Sequence, residues 1–274
     1  MWYKLKRATM RVNGTEKQIR PTWTQWNGDL SKVTTSVGSF AITWNICFSL
    51  CMSVDWSHLY SGMYMWLGYW KIRQYDLSTP YDITTANQVF EFNIWDSSDP
   101  RWNYPQSLII SEDGTLLYCA NNNTSAYVRT YTLSTPFDLS TATLTNTINQ
   151  SSDTCISLID NWKKYYYTMN NDGTYYKELT TPYILETGTK QNSIFYRHLI
   201  ISPDWNYLYY YNSNTLKQCS IATPYDVSST ITDIVSLNGS GAYCDWYCFD
   251  ATGSRLYRVQ GGQNSQVIYQ YNLS

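Results

Sequence analysis

The acids of this 274-residue chain fall into two sets with different meanings. One set recurs in register: Asp55, Asp113, Asp160 and Asp204 each stand five residues before a tyrosine (Tyr60, Tyr118, Tyr165, Tyr209), and Thr252 takes the same place before Tyr257. A side chain that returns at one place in every copy of a unit serves the unit, and Asp113-Gly114 and Asp160-Asn161 are tight-turn chemistry. The other set, Asp96, Asp99, Asp153 and Asp245, falls near the opposite ends of the innermost strands. These are the acids placed for the paired-carboxylate work of a glycosidase around a central channel.

Other catalytic chemistry is poorly supplied. No Gly-rich phosphate loop follows a strand, and no Gly-x-Ser-x-Gly elbow is present. His58 falls on a hairpin position that ordinary turn residues take in the other copies, so a Ser–His–Asp triad is not expected. With His58 and His198 the only histidines, and cysteine pairs 47/51 and 244/248 at i,i+4 rather than the two-residue gap of a zinc or redox pair, neither metal nor cofactor is expected. Cys51 and Cys248 fall where other copies carry Ile109, Ile156 and Ile200, so they read as buried thiols standing in for isoleucine.

Sugar binding needs flat apolar faces beside polar edges, and 27 Tyr and 12 Trp among many Asn supply them. The residues expected on one loop-bearing face are Tyr64, Trp66, Trp95, Arg101, Trp102, Asn122, Asn123, Asn171 and His198. The segment from Trp95 to Pro105 is the longest interruption of the repeat.

The elements that position these residues come from a repeat. Leu77-Ser-Thr-Pro-Tyr-Asp82 returns as Leu133-Ser-Thr-Pro-Phe-Asp138, as Leu179-Thr-Thr-Pro-Tyr183 and as Ile221-Ala-Thr-Pro-Tyr-Asp226, and Leu273-Ser274 opens a fifth copy. A short alternating strand precedes each copy. The spacings of 56, 46, 42 and 52 residues average about fifty, the size of a four-stranded propeller blade. In the fullest unit the expected strands are 107–111, 116–120, 127–133 and 142–148, with Pro136 setting φ and Asp138 bonding the backbone two residues on. The match of Asn27-Gly28-Asp29-Leu30 to Pro136-Phe137-Asp138-Leu139 places the missing outer strand of the last blade at about 28–36. The expectation is all-β: a five-bladed β-propeller of four-stranded antiparallel blades over residues 28–274, closed by that N-terminal strand.

Residues 1–27 stay outside the ring as a basic arm, a strand and an Asn13-Gly14 turn followed by a second strand at 17–21. Six Lys/Arg and one Glu fall in residues 1–20, against 13 Lys/Arg and 20 Asp/Glu in the remainder. A basic arm on an acidic body suggests separate partners. The residues expected to dock are Trp2, Lys4, Lys6, Arg7, Arg11 and Arg20. Nucleic acid is not expected, because no binding motif accompanies the charge. No secretory signal and no membrane-spanning run are visible, which predicts a cytoplasmic origin and no membrane insertion.

The repeat form Asp-Gly-Thr-x-Leu-Tyr … Leu-Ser-Thr-Pro-Tyr-Asp, fullest over 111–142, resembles repeats of bacteriophage tail-associated and virion propeller proteins. The segment from Tyr3 through Val12-Asn13-Gly14 to Pro21 is similar to the leader segments of phage tail structural proteins. The resemblance implies a non-enzymatic virion component in multiple copies per particle, its arm docked on other virion or tail proteins. The propeller would be displayed for decoration, spacing or adsorption to a host-surface glycan. The alternatives are a lectin-like carbohydrate-binding propeller and a five-bladed glycosidase.

Overall fold

The computed structural model describes residues 8–12, 15–20, 28–33, 35–43, 45–65, 69–94, 104–122, 127–149, 157–159, 165–170, 173–181, 183–194, 197–202, 206–212, 215–223, 231–238, 247–250, 253–262 and 265–273. β1 (Ala8–Val12) and β2 (Thr15–Arg20) pair as an antiparallel hairpin with Val12 opposite Thr15, which is the hairpin expected of the basic segment. β3 (Ser36–Thr43) follows. Sheet I is then built from β4 (Asn45–Met52), β5 (His58–Met65), β6 (Tyr69–Leu77) and β7 (Ala86–Asn93). Sheet II contains β8 (Tyr104–Ile110), β9 (Leu116–Asn122), β10 (Tyr127–Leu133) and β11 (Ala142–Asn149). Sheet III contains β12 (Ser157–Ile159), β13 (Tyr165–Asn170), β14 (Gly173–Leu179) and β15 (Gly188–Ile194). Sheet IV contains β16 (Arg197–Ile201), β17 (Tyr207–Asn212), β18 (Thr215–Ile221) and β19 (Ile231–Asn238). Sheet V joins the two ends of the chain: β20 (Tyr247–Phe249), β21 (Arg255–Gly262) and β22 (Ser265–Asn272) are followed by β3, which pairs antiparallel with β22.

All pairings are antiparallel, as short connections require. The first strands lie side by side, β20 against β4, β4 against β8, β8 against β12 and β12 against β16, which is the all-β propeller arrangement. The strand that pairs with β22 begins later than expected. It was expected at 28–36, but Leu30–Lys32 form a one-turn 3-10 helix and the strand begins at Ser36. The aligned residues are the corner of the repeat, and in each described copy the outer strand starts only after that turn. The expected inner strand at 107–111 likewise begins earlier, at Tyr104.

The corner shows why the repeat is written as it is. Asp82 and Asp138 accept from the amides of Thr84 and Ser140, each at 2.9 Å, and cap the turns Ile83–Thr85 and Leu139–Thr141. Asp29 does the same for Ser31. The following apolar residue, Leu30, Ile83 or Leu139, is fully buried between sheets, worth about 1.5–3 kcal/mol each. Before each Asp or Ile the aromatic residue adopts a left-handed backbone: Tyr81, Phe137 and Tyr183 have φ of 72°, 66° and 63°. That conformation costs a non-glycine residue of order 1 kcal/mol or more, so its surroundings must hold it.

The neighbouring sheet holds it. Tyr257 of sheet V donates its hydroxyl to the Tyr81 carbonyl (2.9 Å), Tyr60 of sheet I to Phe137 (2.6 Å), and Tyr118 of sheet II to Tyr183 (2.8 Å). Tyr209 of sheet IV donates to the carbonyl of Gly28, which stands in the aromatic's place in the first corner. A glutamine on the third strand adds a second tie. Gln74, Gln218 and Gln270 accept from the buried amides of Leu139, Leu30 and Ile83 at 2.7, 2.8 and 3.1 Å. The described tyrosines five residues after the turn acid or threonine therefore do more than fill the core. Tyr60, Tyr118, Tyr209 and Tyr257 each clasp the corner of the next sheet; the side chain of Tyr165 lies outside the described ones.

Candidate functional site

Five connectors run from the outer strand of one sheet to the inner strand of the next, and they enter at the end where β4, β8, β12, β16 and β20 begin. Loops between second and third strands open at the same end. At the seam between sheets I and II this end carries a set of aromatic and polar side chains. Alternation along β10 places Tyr127 and Arg129 on the side of Tyr131 and Leu133, which pack with Trp70, Ile72 and Leu108 in one core cluster. Tyr64 packs against the same cluster, its ring 4.4 Å from Trp70 and tilted by 32°.

The seam is joined by hydrogen bonds. Ile94 donates its amide to the Trp70 carbonyl (3.0 Å), and its own carbonyl accepts from Arg129 Nη1 (2.8 Å). The Arg129 guanidinium lies 4.5 Å from the centre of the Tyr127 ring, and the Tyr127 amide donates to the Asn121 side chain. Nearby, Ser49 Oγ donates to the Pro105 carbonyl (2.7 Å), and a Cβ on Gly62 would stand 2.8 Å from that same oxygen. Glycine there lets β5 approach the start of β8.

Arg129 is 8% exposed, and among the described residues no acid pairs with it. Its counterpart in sheet I shows what is missing. Arg73 stands opposite Glu91 and pairs with it at 2.8 Å, and Lys71 joins the same carboxylate. Burial acts to raise the Glu91 carboxyl, but the bonds from Lys71 and Arg73 outweigh it and hold it below its usual range. Opposite Arg129 stands Thr147. Arg129 Nε and Gln106 Oε1 are both buried without a hydrogen-bond partner.

The described turn acids, Asp55 and Asp113, behave as structure, while Asp160 and Asp204 lie outside the described residues. Asp113 accepts from Ser111 Oγ (2.7 Å), Thr115 Oγ1 (2.8 Å) and the Thr115 amide (3.1 Å). Burial acts to raise its carboxyl, and these bonds together lower it; Asp55 is lowered in the same way. A carboxyl held ionised in this manner is a poor general acid at neutral pH. The five inner strands contain no Asp or Glu. Asp96, Asp99, Asp153 and Asp245 lie outside the described residues, in the connectors that lead into β8, β12 and β20.

Of the residues expected on the glycan face, Tyr64 is at the seam. Asn122 and His198 fall on β9 and β16. Trp66, Trp95, Arg101, Trp102, Asn123 and Asn171 lie outside the described residues, as do Trp2, Lys4, Lys6 and Arg7 of the arm. Arg11 and Arg20 are on β1 and β2. Trp70, Tyr127, Arg129 and Gln106 were missed, because their strands read as packing surface. The available signal was the aligned pair Arg73–Glu91 against Arg129–Thr147, a retained cation whose acid is gone.

No described group of His, Cys, Asp and Glu could hold a metal ion. Cys119 is a buried free thiol, whereas Cys51 and Cys248, expected as buried, are half-buried free thiols; desolvation pushes Cys119 and Cys248 up to about 12. Among the described residues no helix is long and apolar enough to cross a membrane.

No protein-family model matches the chain, and no curated protein matches it. Among solved structures, the chain is similar to a GH43_1 enzyme from Xanthomonas citri, with a TM-score of 0.59 at 11% identity, covering 87% of this chain and 91% of that one. It also matches a candidate 6-phosphogluconolactonase from Bacteroides uniformis, with a TM-score of 0.43 at 13% identity, covering 77% of this chain and 63% of that one. Nothing in these comparisons points to a bacteriophage tail protein. The expectation of a non-enzymatic virion structural protein is corrected accordingly: the propeller fold of this chain is one that an enzyme carries over most of both lengths.

Proposed function

We propose that the five four-stranded sheets are the blades of one closed ring, with β3 completing the last, and that this ring is a carbohydrate-active enzyme of glycosidase type. The observation that carries the carbohydrate half is the seam between sheets I and II. There the half-buried ring of Tyr64, backed by the buried Trp70, stands at the loop-bearing end of β5. A sugar presents the complementary surface, apolar on its ring faces and hydroxylated at its edge. The catalytic half draws support from the fold shared with the GH43_1 enzyme. The acids of the reaction are assigned to the connectors entering at this same end, Asp96, Asp99, Asp153 and Asp245, since the inner strands supply none.

The test is reducing-sugar release from a panel of plant, algal and bacterial polysaccharides, with each of the four aspartates changed to asparagine in turn. The expected result is turnover of at least one polymer, reduced by a factor of about 10³ or more when the general acid or its partner is replaced. Binding without turnover, or turnover indifferent to all four substitutions, would sink the enzymatic assignment.

A further inference from the structure

The hairpin β1–β2 pairs with no other strand among the described residues and forms a two-stranded sheet by itself. A hairpin of that size is marginal in water and needs a surface to lie on. Its charge says what kind. Residues 1–20 hold six Lys/Arg and one Glu, and Arg11, Lys17 and Arg20 belong to the hairpin strands, whereas the remainder holds 13 Lys/Arg against 20 Asp/Glu. Those acids are gathered at one end of the propeller. In sheets I and II the corner is tied to the turn between the first two strands, the Tyr81 amide donating to Trp56 (3.3 Å) and the Phe137 amide to Gly114 (2.9 Å). Corners and turns therefore share the end opposite the connectors. Asp29, Asp82 and Asp138 stand there in the corners, and Asp55, Glu112 and Asp113 in the turns, each exposed or half-buried. Among the described residues of these turns and corners Lys32 is the only Lys or Arg, and Arg255 just beyond is paired with Asp250 (3.4 Å).

The basic arm springs from this same end. Gly28 and Asp29 belong to the first corner, and the segment 21–27 can span at most about 25 Å, so the hairpin works close to the corner acids. Two copies that face each other through their corner ends each present an arm where the other presents acids, the reciprocity that a two-fold axis requires. We infer that the chain forms a two-fold dimer in which the β1–β2 hairpin of each copy docks on the acidic corner end of the other. The two arms neutralise faces of like charge that would otherwise repel. The connectors lie at the opposite end, so this pairing is independent of the catalytic assignment.

The experiment is sedimentation velocity of the full chain in sodium chloride at about 0.1 M and about 1 M, where the screening length falls from about 10 Å to about 3 Å. A dimer is expected at the lower salt, with the association weakened about tenfold or more at the higher. The triple variant Arg11→Glu, Lys17→Glu, Arg20→Glu is expected to sediment as a monomer at both salts while melting within a few degrees of wild type. Carbodiimide coupling locates the arm without any substitution. Isotopically heavy and light copies are mixed at high salt, returned to low salt and coupled, and Lys17 is expected to be joined to Asp55, Glu112 or Asp138 of the other isotope. A monomer at low salt overturns the inference, as does a dimer indifferent to both salt and charge reversal. Coupling of Lys17 that is absent, confined to one isotope or directed away from the corner end overturns it equally, since the arm would then lie on its own propeller or elsewhere.

Discussion

A tyrosine hydroxyl and a left-handed aromatic make the smallest unit of this molecule's cohesion. Tyr118 donates to the carbonyl of Tyr183, whose φ of 63° is unfavourable for a residue with a Cβ. Tyr118→Phe keeps the buried ring and removes only the donor, so it is expected to cost about 1–2 kcal/mol in urea denaturation. Tyr60→Phe should cost about as much, because it removes the same bond to Phe137. The turn facing that corner sharpens the point. Gly114 has φ of 72°, and an added Cβ would lie 2.6 Å from the Phe137 ring. In sheet I the equivalent residue is Trp56, also left-handed, and Tyr81 stacks on it at 5.3 Å. Gly114→Ala must displace Phe137 without gaining such a stack, and is expected to destabilise by about 2–3 kcal/mol, read as a lower denaturation midpoint at unchanged slope. The tyrosines were visible in the sequence as a fixed offset from the turn acid. Their partners were not, since Tyr60 meets Phe137 across 77 residues and Tyr257 meets Tyr81 across 176, and no local pattern encodes such a distance.

At the scale of elements, the corner was legible and its position relative to the strand was not. Asp82 and Asp138 bond the amide two residues on, as their residue type predicts. The same chemistry at Asp29 made residues 28–36 look like the start of a strand, because the alignment fixes the corner and leaves the length of the turn open. Asp138→Ala is expected to cost about 1 kcal/mol through loss of the cap. The hairpin acid Asp113 gives a pH test. Its folded carboxyl is lowered, so its contribution to stability is present above the ordinary value of 3.8 and is lost as pH falls through the lowered folded value. The stability gap between wild type and Asp113→Asn should accordingly narrow as denaturation is measured at successively lower pH, from about 5 to about 3. The outer strands share another device. In sheets I, IV and V the register skips one outer-strand residue, Val89, Ile234 or Val37, and each stands exposed at its bulge. Such bulges twist the free edge and discourage pairing with another molecule.

For the whole molecule, cohesion depends on the first corner. Leu30 is fully buried, its amide is held by Gln218, and Gly28 receives the hydroxyl of Tyr209, so the segment just before β3 binds sheet IV as well as sheet V. Removal of residues 1–27 should leave the melting temperature within a few degrees of wild type. Removal of residues 1–35 takes away the buried leucine and both ties and is expected to lower it by about 5–10 °C, measured by calorimetry. Equal melting of the two truncations would refute a closing role for this corner. The all-β propeller could be read from the sequence, because the corner motif of Asp82 and Asp138 returns at a blade-sized spacing. The seam at Arg129 could not, because its strand reads as packing surface and no local pattern names Thr147 as the residue opposite.

The pairing of β3 with β22 also sets a timetable for synthesis. β3 is made before its partner, which ends at Asn272, some 230 residues later. At about 5–20 residues per second, β3 waits roughly 10–50 s with one edge unsatisfied. During that interval the other sheets can assemble in order behind it, but the pairing of β3 can only zip once β22 has been made. A ribosome stalled before residue 265 would therefore hold β3 with that edge unpaired, and the eight-residue β22 is the element that covers it.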